Sequence, residues 1–374
     1  MKLTFKDFFL YLYFFIPLTL ITGPAIPDLT ITFGGIFGLI WIFLKEKNYE
    51  LINNSLVRIS LAFWLSLILI SFFAINKVQS FQDAFIFLRY LTIPICCYYL
   101  FFIDKNVLRY LLLSILILVL LVSIDTIYQF FNYSAKDGFG EDLLGFKSDW
   151  YGRLTGPFGD ELIPGSYVSK LGLIGFAYFL ITKNFNYKFI LQGVYLSLIL
   201  IVCFMSGERM AFASFGLALL IMFLFLVKQR LSLFFSIILS LIIIILIFKF
   251  HPFYNDYKII ESNQFHQGLK IEKEIQCEND KSKICKKIIN IQPSFLEVIK
   301  NFRTSAYGEI YLLSYKMFKD NPITGIGISN FKIVCENEER YYKMHTNYYC
   351  ASHPHNTYIQ WLAEGGLIVF LIFI

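Results

Sequence analysis

Ten long apolar runs dominate this chain, at roughly 8–22, 29–44, 57–75, 82–103, 108–131, 162–182, 188–206, 209–227, 231–250 and 355–374. At about 1.5 Å of rise per residue, most such runs approach the ~30 Å hydrocarbon core of a bilayer. A segment inside lipid must satisfy its own backbone N–H and C=O groups, and a continuous apolar run does so as a helix. The expectation is therefore an all-α polytopic membrane protein: about ten transmembrane helices, with a large extracytoplasmic loop before the last one. The composition agrees, since 57% of the residues are hydrophobic and 19% aromatic.

The charges read as topology anchors. Lys2 and Lys6, then Lys45, Lys47 and Arg58, then Lys105 and Arg109, then Lys183 and Lys188, then Lys228 and Arg230 all fall on one side of the alternating spans. Positive residues in short loops mark the cytoplasm. The net charge of +6 is thereby accounted for without nucleic acid. The first run, Phe8 to Ile21, reads as a retained span, because Gly23-Pro24-Ala25 leads at once into the next run. By parity the 132–161 loop, the 207–208 turn and the 251–354 segment lie outside the cytoplasm. Three parts follow: a bundle over 1–250, an extracytoplasmic loop domain over 251–354, and a last span over 355–374.

Within the outer segment, Val298, Phe302, Ala306, Ile310, Leu313 and Met317 recur at helical spacing, which predicts an amphipathic helix over Glu297 to Phe318. Asn321-Pro322 should stop it. Gly325-Ile326-Gly327 follows as a turn that lets backbone approach something closely, and a plain turn is favoured there over a phosphate loop. Cys96, Cys97 and Cys203 sit in spans, where a thiol is a small apolar group. Cys277, Cys285, Cys335 and Cys350 share the outer segment, an even number in an oxidising compartment. Pairing nearest neighbours predicts Cys277–Cys285 and Cys335–Cys350.

Chemistry is expected where this segment runs into the last span, at Ser352-His353-Pro354-His355-Asn356. Pro354 suits the first turn of a helix, so the helix is expected to begin at Ser352 or His353, with His355 in its first turn. A helix N-terminus disfavours imidazolium, and so holds an imidazole neutral and able to take a proton near pH 7. The competing reading is a histidine that only caps or snorkels. Arg209, in the tight turn Ser206-Gly207-Glu208-Arg209, offers a planar fork to a lipid phosphate, against simple anchoring or a pair with Glu208. Arg303 is a second phosphate candidate, or a solvated face residue. Arg153, ahead of the sixth span, reads as donor binding or loop architecture. Arg89 lies inside the fourth span, with Asp125 as its structural partner by default. Cys350-x-x-His353-x-His355, with His345 and Cys335 nearby, has a spacing zinc could use, but outer cysteines should be oxidised and no metal is expected.

Taken together, these residues resemble the O-antigen ligase/polymerase superfamily of bacterial inner-membrane glycosyltransferases, best from about Lys188 to Ile374. The resemblance rests on the Ser206 to Arg209 turn, on an outer loop holding Arg303 and Asn321-Pro322-Ile323-Thr324-Gly325-Ile326-Gly327, and on His355-Asn356 followed by Gln360, Glu364, Gly365 and Gly366. Arg153 to Gly165 also looks like a loop of that family. The resemblance implies a multi-helix glycosyltransferase fold and an undecaprenyl-diphosphate-linked glycan donor, with no cofactor and no metal requirement. It further implies two arginines on the donor diphosphate and the histidine beside asparagine at the reacting centre. Here the two arginines are Arg209 and Arg303 and the histidine is His355, as the catalytic base; Arg153 joins them as a further donor-diphosphate candidate, and His353 and Asn356 stand in support. The family continues through further spans, whereas this chain stops inside an apolar run at Leu371-Ile372-Phe373-Ile374, so the last span reads as truncated.

The expected activity is metal-independent transfer of a lipid-linked glycan to an acceptor hydroxyl at the periplasmic face of the inner membrane. The acceptor is lipid A-core for a ligase, another lipid-linked repeat for a polymerase, or a protein Ser or Thr for an oligosaccharyltransferase. Two other classes stand beside it. A transporter would use Arg89 and Asp125 as a relay and should show similar halves, which the sequence lacks. A non-catalytic scaffold would present the disulfide-bonded outer segment to a partner.

Overall fold

The computed structural model describes residues 5–134, 138–148, 150, 152–183, 186–255, 259–261, 269–277, 280–291, 300–344 and 350–374, with the backbone alone over 259–291. In chain order the α-helices are α1 (Phe5–Thr19), α2 (Ala25–Ile40), α3 (Ser55–Ser71), α4 (Lys77–Ile103), α5 (Lys105–Phe131), α6 (Pro164–Ile181), α7 (Lys188–Met205), α8 (Arg209–Phe225), α9 (Arg230–Phe250), α10 (Pro252–Asn255), α11 (Ala306–Asp320), α12 (Phe331–Asn337), α13 (Glu339–Tyr342) and α14 (Thr357–Phe373). The described strands form a small hairpin, β1 (Tyr133–Ser134) with β2 (Gly138–Phe139). They also form a three-stranded antiparallel sheet in which β5 (Asp280–Ile291) lies between β3 (Ile259–Glu261) and β4 (Leu269–Cys277).

Five described helices are long and apolar enough to cross a membrane: Ala25–Lys45, Lys77–Phe101, Asn106–Phe131, Lys188–Met205 and Val227–Phe250. Ser55–Ser71, Arg209–Phe225 and Thr357–Phe373 are apolar but shorter. This is a multi-pass α-helical membrane protein, in which the expected runs become helices without all reaching full spanning length. Polar residues set several helix starts. Asn54 accepts the Leu56 N–H at 2.8 Å ahead of α3, and Asp104 accepts the Asn106 N–H at 2.9 Å ahead of α5.

The chain divides into two compact units, 1–28 with 104–294 and 29–103 with 295–374. The expected loop domain over 251–354 contributes residues to both units. Its strands are grouped with the first unit, whereas α11 to α13 belong to the second because α11 packs on α14.

In the first unit α5, α6, α7, α8 and α9 close around Val119, Phe176, Leu196, Ile199, Val202, Phe215 and Leu233, all essentially buried. Lipid tails are as apolar as leucine, so helix contacts inside a bilayer rest on close fit and polar pairs. The α7–α9 seam shows both. Ser197 Oγ donates to the Ser236 carbonyl at 3.0 Å, and Ser232 Oγ donates to Gln192 Oε1 at 3.0 Å. Beyond α5 the loop is pinned by side chains. Gln129 Oε1 accepts the N–H groups of Thr155 at 3.1 Å and Gly156 at 2.9 Å, and Asp142 accepts those of Leu144 and Phe146.

In the second unit α3 packs on α4 and on α14, around Phe63, Leu67, Ile70, Trp361 and Val369. The last apolar run does not form the single expected span. Gly366 takes φ 61° and ψ −165°, a backbone state that only glycine enters readily, and the helix breaks there. The ring centroids of Tyr358 and Phe373 are 5.6 Å apart, where a straight helix would separate the two residues by about 22 Å. The chain folds back on itself. The backbone groups freed by the break find partners in the turn after α11. Ile326 and Gly327 donate to the carbonyls of Ala363 (3.1 Å) and Glu364 (3.0 Å), while Leu367 and Ile368 donate to those of Pro322 (2.9 Å) and Ile323 (3.3 Å). The close approach expected of Gly325-Ile326-Gly327 is thus an approach to the broken helix.

Candidate functional site

Two clusters of the expected residues emerge, one in each unit. In the first unit the cluster forms where α7 turns into α8. Glu208 precedes α8. Its Oε1 accepts the Gly165 N–H at 2.6 Å, and its Oε2 accepts the Ser166 N–H at 3.1 Å and the Ser166 hydroxyl at 2.5 Å, all at the start of α6. Arg209 opens α8 and is exposed. The segment carrying Arg153 runs beside this turn, with the Leu154 N–H donating to the Ser206 carbonyl at 3.1 Å.

Arg153 Nη2 donates to the Leu162 carbonyl at 2.7 Å, while its Nε is buried without a partner among the described residues. The positive charge of Arg153 acts on Arg209. Arg209 opens α8 and Arg153 lies in the loop bonded to the same turn, and planar guanidinium groups suit an anion with several oxygens.

In the second unit the cluster forms at the N-terminal end of α11. The sequence predicted a helix over Glu297 to Phe318; residues 297–299 lie outside the described residues, Arg303 stands in the 3-10 turn Phe302–Thr304, and α11 begins at Ala306. Ser305 is the reason. Its hydroxyl accepts the Gly308 N–H at 3.1 Å and donates to the Phe302 carbonyl at 2.6 Å, capping the helix and turning the chain in one residue. Phe302 packs on Tyr311, ring centroids 5.9 Å apart, which seats the Arg303 turn on α11. The Arg303 side chain is exposed. Asp320 ends α11 ahead of Asn321-Pro322, as the sequence indicated.

The histidine strap meets α11 at the same end. The Cys335–Cys350 disulfide, read from the sequence, joins α12 to the residues just before the histidines. It also removes Cys350 from any zinc ligand set built on His353 and His355. Cys277 and Cys285 lie on β4 and β5, and their side chains are outside the described residues, as is His345. The last helix starts at Thr357, later than Pro354 suggested, because Asn356 is its cap and accepts the Ile359 N–H at 3.1 Å. His355 therefore precedes the helix instead of sitting in its first turn, and holds a left-handed backbone at φ 56°.

The imidazole of His355 is edge-on to Tyr307, centroids 5.9 Å apart, and lies 4.3 Å from that of His353. His353 Nδ1 is within 2.9 Å of the Ser352 hydroxyl. Burial, and after it the neighbouring His353, hold the pKa of His355 below its ordinary value. The direction matches the expectation, but the cause is the environment and the paired ring. At pH 7 the group is neutral and can accept a proton.

Arg89 and Asp125 each have local partners. Arg89 Nη2 donates to the Tyr90 hydroxyl at 2.7 Å with the guanidinium 4.7 Å over that ring, and Asp125 Oδ1 accepts the Leu143 N–H at 2.9 Å.

Tyr307 beside His355 escaped the sequence reading, which named Glu208 only as a partner for Arg209 and gave no role to Glu364. The last is fully buried, accepting the Phe331 N–H at 3.1 Å and a proton of the Gln360 amide at 3.0 Å. Only Glu364 left a signal, as a carboxylate inside an apolar run.

Residues 194–374 match the family model described as O-antigen ligase. The match holds Arg209, Arg303, His353, His355 and Asn356, and it supports the O-antigen ligase/polymerase superfamily read from the sequence. A search of curated proteins finds no match.

Proposed function

We propose, with the O-antigen ligase match as premise, that this protein transfers a glycan from undecaprenyl diphosphate to an acceptor hydroxyl. The reaction is placed at the periplasmic face of a bacterial inner membrane, and the acceptor is lipid A-core or another glycan. In the step, the acceptor oxygen forms a bond to the anomeric carbon as the bond from that carbon to the diphosphate oxygen breaks. The electron pair leaves with undecaprenyl diphosphate. His355 takes the acceptor proton at its free imidazole nitrogen. Arg209, Arg303 and Arg153 are the residues assigned to the donor diphosphate, by the match of a guanidinium fork to phosphate oxygens. Their stabilisation grows as negative charge builds on the leaving group. His353 keeps His355 in its neutral form, and Asn356 fixes where the strap ends and the helix begins. No metal is assigned a step.

The observation that carries this reading is the placement of the His355 imidazole between the rings of His353 and Tyr307, inside the matched region, where burial holds its pKa below the ordinary value. The experiment is a lipopolysaccharide gel of a strain lacking the protein. Bare core with glycan accumulating on the lipid carrier supports the ligase reading. Core bearing one repeat identifies a polymerase, and an unchanged ladder removes both.

A further inference from the structure

We infer that Glu208 is the positioning residue of the arginine cluster: its buried carboxylate fastens the Ser206–Arg209 turn to the start of α6, and so sets Arg209 against Arg153. The inference rests on the reading of those arginines as diphosphate ligands. The first turn of any helix leaves backbone N–H groups without partners. In α6, Pro164 takes the first position and Ile163 provides no capping side chain, so Gly165 and Ser166 are left as donors. Glu208 supplies the missing acceptor from 42 and more residues away in sequence, with both oxygens engaged, and is itself only 8% exposed. A carboxylate at a helix N-terminus is favoured by the local partial charge as well as by the bonds. From that fixed point the chain passes directly to Arg209, and the bond between Leu154 N–H and the Ser206 carbonyl couples the same turn to Arg153. The residue next to the arginine thus spends its charge on α6, where it orders the turn.

The sign of one substitution separates positioning from simple charge balance. Glu208→Gln removes a negative charge beside two arginines, so electrostatics alone would tighten anion binding. If Glu208 positions the arginines, the same change weakens it. The measurement is binding of inorganic pyrophosphate to the full-length protein in nanodiscs, together with donor and acceptor KM values for transfer. Glu208→Gln is expected to weaken pyrophosphate about tenfold and to raise the donor KM alike, with the acceptor KM unchanged, as charge-assisted hydrogen bonds are lost. Ser166→Ala, which removes one donor and no charge, should shift both in the same direction by a few-fold, and decides the matter if Glu208→Gln fails to insert. Unchanged or tighter pyrophosphate binding in these variants, with Arg209→Ala abolishing it, overturns the positioning role and leaves the arginine reading standing. Normal pyrophosphate binding by Arg209→Ala removes the arginine reading and the inference with it.

Discussion

The rings of His353 and His355 stand 4.3 Å apart, and burial, with that neighbouring ring after it, lowers the proton affinity of His355. Two imidazoles this close do not readily carry protons together, so His353 helps to hold its neighbour in the form that accepts a proton. The relationship depends on the strap that carries both rings. At one end the strap is tied by the Cys335–Cys350 disulfide, and at the other by the Asn356 cap.

The cap makes the first prediction. Asn356→Ala removes the acceptor for the Ile359 N–H and should lower stability by about 1 kcal/mol. Thermal unfolding in detergent should show a modest fall, and transfer should drop because His355 is the preceding residue. A variant with unchanged melting and unchanged rate would remove Asn356 from the account.

Arginine geometry makes the second. Lysine keeps the charge but loses the planar fork. Arg209→Lys and Arg303→Lys, each inserted at normal level, should transfer substantially more slowly than the unsubstituted protein. Normal rates for both would leave these residues as membrane anchors.

The broken helix makes the third. Gly366 sits at φ 61°, and a Cβ on Gly325 would run into the Glu364 carbonyl. Gly366→Ala and Gly325→Ala should each destabilise the second unit, by strain in the first case and by collision in the second. Limited proteolysis of membranes is the check. Wild-type resistance in both variants would contradict the interlock between the 322–327 turn and α14.

Much of this architecture is legible in the residues because apolar runs in lipid have few alternatives to helix. The disulfide beside the strap is legible for a similar reason, since Cys335 and Cys350 are close in sequence and share a compartment. Local competition hid the rest. Pro354 is a good first-turn residue, yet Asn356 is a better cap, and the helix starts after it. The periodicity through Val298 and Phe302 reads as helix, but the Ser305 hydroxyl bonds to both sides of the turn and moves Arg303 out of α11. Gly365-Gly366 inside an apolar run looks like an ordinary span until the turn after α11 offers partners for a broken backbone. Glu208 was unreadable because its donors lie in the α6 start, far away in the chain.

The central claim is that His355 is a neutral base and not a cap, a role Asn356 already fills. The direct test is the single-turnover rate of glycan transfer against pH, for the unsubstituted protein and for His355→Asn. A base works only when unprotonated, and the pKa of His355 is depressed, so the rate should be level well above the ordinary histidine value of about 6.5 and should fall with an apparent pKa below that value. His355→Asn should insert normally, transfer about 10²–10⁴-fold more slowly, and lose that acid limb. A His355→Asn protein with near-normal rate and an unchanged pH profile would contradict the account.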